Sequence, residues 1–166
     1  MPRIVQCLAV AAMLVSGVGG ANADTEADAR QLGEIFCTLG KGGGQFGRMY
    51  LVTRSLTQAI NDAQKKNDEI AAAQPDEKPP LGDGIPYQSF PDEAPVCAPG
   101  KLTDKGREQV VEITYSFPGM ADASWTDRVV LIAEDGRLRI DDVWFGTSDP
   151  PEGLRKILGD LLKPAK

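Results

Sequence analysis

Two aspartates and two tryptophans in the last third of the chain are the residues whose types and spacing suit chemistry. They stand in Trp125-Thr126-Asp127 and in Asp141-Asp142-Val143-Trp144. Between them lies Asp135-Gly136, and an Asp-Gly pair flanked by alternating apolar and polar residues signals a two-residue hairpin turn of type I′. Counting outward from that turn sets Glu134 opposite Arg137, Val129 opposite Asp142 and Asp127 opposite Trp144. One face then reads Trp125, Asp127, Val129, Leu131, Ala133, Leu138, Ile140, Asp142 and Trp144. Diagonal neighbours across an antiparallel pair lie about 7 Å apart, so Asp127 and Asp142 are expected to form a close acid pair beside indole rings. Two carboxylates that close and partly out of water cannot both ionise freely, which suits general acid or base catalysis. Tyr115, on the Val111, Ile113, Phe117 side of the preceding strand, is the candidate hydrogen-bond donor. The pocket candidates are therefore Tyr115, Trp125, Asp127, Asp142 and Trp144, with Asp127 and Asp142 as catalytic candidates.

A structural reading of the same residues stands beside the chemical one. Each carboxylate would accept bonds from backbone N–H groups of a helix start or a long loop, with the tryptophans as core. A bulge at Asp141-Asp142 would exchange which of the two points inward. The opposite face carries Arg128, Arg139 and Asp141 between Val130, Ile132, Val143 and Phe145, suited to cross-strand ion pairs and leaving a homodimer contact open.

Absences narrow the chemistry. The chain has no histidine, which excludes Ser-His-Asp and Cys-His nucleophilic catalysis and histidine-ligated metals. The acidic clusters Pro75-Asp76-Glu77 and Pro91-Asp92-Glu93 lack the regular spacing of a calcium loop. The run Gly40-Lys41-Gly42-Gly43-Gly44 lacks the Lys-Ser/Thr ending of a phosphate-binding loop and follows no strand. Neither a metal nor a cofactor is expected.

Residues 1–23 begin with one Arg, continue in an apolar run from Ile4 to about Val18 and end in Ala21-Asn22-Ala23. This is the form of a secretory signal with an A-x-A cleavage site after Ala23, and it predicts a periplasmic or secreted protein. The apolar run is too short to span a membrane well, and no later stretch is longer. With 18 basic and 24 acidic residues in the whole chain, losing the one Arg of the leader changes the net charge from −6 to 17 − 24 = −7. Such an acidic surface disfavours nucleic acid and anionic lipid as partners. Cys37 and Cys97 are the cysteines left after cleavage and are read as one disulfide of an oxidising compartment.

Residues 24–166 are expected to form a single α+β domain. A first helix is predicted over about 26–39 behind the box Thr25-Glu26-Ala27-Asp28, and a short helical piece over 46–52. A second long helix runs from the box Ser55-Leu56-Thr57-Gln58 to about Ala73. A long proline-rich loop covers 74–106, with a short strand suggested at 85–90 and Tyr87 and Phe90 packed on the body. Strands follow at about 108–117, 125–134 and 137–145. A last helix carries Leu154, Ile157, Leu158, Leu161 and Leu162, with Asp149 as its cap, Pro150 at its first position, Glu152 as the capping Glu and Pro164 beyond its end.

Three features together resemble a family of uncharacterised bacterial secreted domains with a cystatin-like, NTF2-like roll. They are Cys37 in the first helix, the segment PDEKPPLGDGIPYQSFPDEAPVC, and the W-x-D then E-D-G-x-x-x-I-D-D-V pattern leading into a leucine-rich C-terminal helix. The resemblance covers nearly all of the mature chain. It implies helices packed on a curved antiparallel sheet enclosing a cone, and it implies no reaction. The function expected from the sequence is non-enzymatic binding of a small ligand or a protein partner at the cone mouth and the proline-rich loop. The alternatives are a small lyase or isomerase using Asp127 and Asp142, and an envelope inhibitor or immunity-type protein.

Overall fold

The computed structural model describes residues 21–43, 45–146 and 152–163. Most of the expected leader, the Asp149-Pro150 helix start and Pro164 lie outside these residues. The architecture is α+β, with helices before and after a five-stranded antiparallel sheet of order β1-β2-β3-β4-β5.

Helix α1 spans Ala21–Leu39. It runs straight through the Thr25 box, because nothing in residues 21–25 breaks a helix that can extend N-terminally. A 3-10 turn at Lys41–Gly43 and the short helix α2, Gln45–Arg48, follow. Helix α3, Arg54–Ala73, buries Leu56, Ile60, Ala63 and Asn67. Its cap is Thr53, whose hydroxyl accepts from the Leu56 amide at 3.1 Å, two residues ahead of the expected Ser55. Ser55 instead bonds Arg155, with Arg155 Nη2 donating to its hydroxyl at 2.7 Å.

The strands are β1 Val96–Asp104, β2 Glu108–Phe117, β3 Met120–Glu134, β4 Arg137–Phe145 and β5 Glu152–Gly153. The sequence reading gave no strand to 96–104 and suggested one at 85–90. The structure reverses this, with β1 pairing along β2 and the stretch around 85–90 irregular. Pro99 and Gly100 within β1 weakened its strand signal, and the β1/β2 register shifts between Pro99 and Leu102. The Asp135-Gly136 turn is as expected, with φ of 52° and 74°, the positive values a type I′ turn demands of both central residues.

The hairpin register holds from Glu134↔Arg137 to Leu131↔Ile140 and then slips. Asp141 and Asp142 together oppose Val130, so Val129 faces Val143 and Arg128 faces Trp144. This bulge turns Val143 and Phe145 toward the helices and carries Asp142 and Trp144 to the other face. The physical reason is burial: Val143 is fully buried, and an acid in its place would have to lose its water without recovering apolar contact. The expected Asp127/Asp142 pair on one wall does not exist.

Helix α4, Leu154–Leu161, follows β5 directly and buries Leu154 and Leu158. Glu152 sits in β5 opposite Phe145, not in the first helical turn. Gly153 is required there, because a Cβ would meet the Val143 carbonyl oxygen at 2.8 Å and the Trp144 ring at 3.0 Å. The core lies between the helices and one sheet face, where Phe36, Leu56, Ile60, Leu154 and Leu158 meet Val111, Ile113, Val129, Leu131, Ile140 and Val143. The Cys37–Cys97 disulfide ties α1 to β1 across 60 residues, which in the chain-entropy model contributes about 4 kcal/mol.

Candidate functional site

A cavity of about 450 Å³ opens between the proline-rich loop, α2 and α4. Its wall is Pro80, Leu81 and residues 83–91 of the loop, with Gly40, Arg48, Glu93 and Ile157 completing it. The loop is held by few but well-placed anchors. The Leu81 amide donates to Asn67 Oδ1 at 2.7 Å, from a buried asparagine on α3. The Ser89 amide donates to Asp127 Oδ2 at 2.8 Å. Gln88 Nε2 donates to the carbonyls of Phe90 and Asp92 at 2.8 and 3.0 Å. Tyr87, only 2% exposed, plugs the loop into the core.

Arg48 is the charged residue at the inner end of the cavity. It is 5% exposed, and its guanidinium lies 4.1 Å from the Phe36 ring centroid. Nε donates to the Phe36 carbonyl at 3.1 Å, satisfying one of the orphan carbonyls in the last turn of α1. A side chain on Gly40 would collide with Nη2, so this glycine is the room in which the guanidinium lies. Burial lowers the Arg48 pKa, opposed mainly by Tyr115 and Tyr87 and more weakly by Asp127. Among the described residues no carboxylate comes within ion-pair distance of it. The two acids of the cavity wall are exposed and engaged: Glu93 accepts from the Gly42 amide at 2.7 Å, and Asp83 pairs with Lys78.

None of the five pocket candidates lines the cavity, but three stand behind its wall. Trp125 stacks on Tyr115 with ring centroids 4.7 Å apart and meets the lining residue Phe90 at 5.4 Å. Asp127 is fully buried and accepts three bonds, from Ser89 N, Gly146 N and Trp125 Nε1 at 2.8, 2.8 and 3.2 Å. With its lone pairs committed to N–H donors, it serves as the post on which the loop is tied. The Tyr115 hydroxyl is buried beside the Arg48 guanidinium, and that of Tyr87 is buried without a hydrogen-bond partner. Burial raises both phenols, Tyr87 to about 12 and Tyr115 further, against the lowering influence of Arg48.

Asp142 and Trp144 belong to the opposite face. Asp142 Oδ1 accepts from the Arg155 amide at 2.9 Å and the Val143 amide at 2.8 Å, and Oδ2 accepts from Trp144 Nε1 at 3.1 Å. It thereby caps α4, whose own N-cap residue Gly153 has no side chain to do so. Burial raises its pKa, opposed by those N–H bonds and by Arg155. Trp144 lies beneath Lys105 and Arg128, 4.9 and 5.3 Å from its ring centroid. Neither residue approaches Asp127, so no paired-carboxylate centre forms.

The site residues that sequence reasoning missed are Arg48 and the lining of the 80–91 loop. A signal for Arg48 exists in retrospect: it is a lone cation inside the otherwise apolar run Phe46-Gly47-Arg48-Met49-Tyr50-Leu51-Val52. Among the described residues no cluster of acids and cysteines could hold a metal ion, and no helix is long and apolar enough to cross a membrane. No protein-family model, curated protein or solved structure matches the chain.

Proposed function

We propose that this is a secreted, non-enzymatic binding protein that takes a small ligand into the cavity between the proline-rich loop, α2 and α4. The observation that carries the reading is a cavity of about 450 Å³, within the usual size of small-molecule sites, walled by a loop anchored at Leu81, Tyr87 and Ser89. Ile85, Pro86, Tyr87, Phe90 and Ile157 give it apolar surface. The signal-like residues 1–23, with cleavage after Ala23 and a periplasmic or secreted destination, agree with a disulfide in the body of the chain. The cystatin-like, NTF2-like roll belongs to the same reading. It is supported by a five-stranded antiparallel sheet with helices on its core face.

An acid-base lyase or isomerase using Asp127 and Asp142 has lost its geometry, since the two carboxylates occupy opposite faces and each is saturated with N–H donors. A protein-binding role, including that of an envelope inhibitor, draws on a different observation: Phe46 and Tyr50 are 80% and 81% exposed. Phe46 also lines a smaller hollow of about 330 Å³.

Thermal denaturation of the purified protein against a chemically varied small-molecule panel tests the proposal. A ligand class should raise the melting temperature of the wild type but not of Ile157→Trp, which fills the cavity from α4. No stabilising compound, or equal stabilisation of both proteins, would refute it.

A further inference from the structure

Arg48 lines the cavity as a buried cation, and among the described residues it has no carboxylate within ion-pair distance. A guanidinium carries five N–H donors and no acceptor, and the Phe36 carbonyl uses only Nε. The neighbouring phenols are neutral partners only: Tyr115 lies beside the guanidinium, and the Tyr87 hydroxyl is closed off from solvent. The nearest buried acid, Asp127, has its oxygens filled by Ser89, Gly146 and Trp125. Glu93 and Asp83 are turned to other partners at the exposed rim. A charge left unpaired at this depth is costly, and Gly40 leaves the guanidinium the room it needs.

The missing partner has to be an acceptor that is planar or compact, negatively charged and small enough to reach the end of the cavity. We infer that the ligand is an organic carboxylate, its acid group received by Arg48 and its apolar body lying along Ile85, Phe90 and Ile157. The inference rests on the cavity being a ligand site and adds the class of ligand. A carboxylate presents two oxygens in the plane that a guanidinium fork matches. Arg48 also caps α1, but that cap uses only Nε.

Calorimetric titration with octanoate, 1-octanol and octylamine separates the ligand class from the site. Octanoate should bind the wild type, the alcohol and amine at least about 10-fold more weakly, and Arg48→Met should lose about 10- to 100-fold for octanoate alone. Should Arg48→Met not fold, Ile157→Glu, which sets a like charge on the exposed side of the cavity, should weaken octanoate several-fold more than octanol. Octanol binding as tightly as octanoate, or octanoate affected by Arg48→Met and Ile157→Glu no more than octanol is, would overturn the carboxylate inference while leaving the cavity as a site. Binding of none of the three probes would overturn the carboxylate inference, and the cavity reading would then stand or fall on the Ile157→Trp experiment.

Discussion

The sheet contains the same local device twice, once on each face. In Trp125-x-Asp127 and in Asp142-x-Trp144 an indole N–H donates to a carboxylate two residues away on the same strand, at 3.2 and 3.1 Å. On the core face Asp127 is fully buried and spends its other bonds on a distant loop and on the end of β4. On the outer face Asp142 is half-buried and spends them on its neighbour and on the start of α4. The local pair is identical, so the difference in role comes from what the face meets. One pair organises a cavity wall, the other starts a helix.

Truncating each carboxylate should expose that inequality. Asp127→Ala leaves three N–H groups without an acceptor in the interior, and at about 1–3 kcal/mol for each such group the loss should be on the order of 5 kcal/mol. It should also speed hydrogen exchange at Ser89 and Gly146. A loss under about 1 kcal/mol by chemical denaturation would mean the loop is held elsewhere. Asp142→Ala removes a helix cap and should cost about 1 kcal/mol, with faster exchange confined to the Arg155 amide and its neighbours. Equal losses in the two variants would erase the contrast.

The smallest effect is in pH. Asp142 has a folded pKa above its ordinary value because burial dominates, so the folded state binds the proton more tightly than the unfolded chain. Its contribution is therefore fully present below the ordinary pKa near 3.8 and lost as pH rises through the higher folded value. Asp160 has the opposite sign. Lys156 and Lys163 hold it down to about 2, so its contribution is present above the ordinary value and lost as pH falls toward 2, weakly because the group is exposed. Between pH 3 and 6, Asp142→Asn should flatten the fall in melting temperature with rising pH, and Asp160→Asn should not. A pH profile unchanged by Asp142→Asn would show that burial does not govern that carboxyl.

How far the letters reached can be judged on the same hairpin. Asp135-Gly136 specifies its turn because both central residues must take positive φ, and alternation then fixes the register as far as Ile140. Beyond it the count fails by one residue. The bulge is stabilised by partners far along the chain: Arg155 Nε on the Asp141 carbonyl at 2.6 Å, and the Thr53 amide on the Ile140 carbonyl at 2.8 Å. A local pattern carries no trace of these. The disulfide was legible because two cysteines follow a signal-like leader. Strand β1 was hidden by Pro99 and Gly100, whose cost is recovered through pairing with β2. Helix caps at Thr53 and Asp142 depend on where the chain enters each helix, and Asp142 caps from another strand. Asp127 and Trp125 were rightly drawn to one wall, but Arg48 left only its place in an apolar run as a trace, because its burial depends on the room that Gly40 leaves.

The placement of the two indoles gives the molecule built-in optical reporters on its two sides. Trp125 touches Phe90, on the cavity wall, while Trp144 lies under Lys105 and Arg128 on the far face. With Trp144 replaced by Phe, the remaining emission comes from the side of the sheet where a guest would arrive. With Trp125 replaced instead, the light follows only the seating of the last helix.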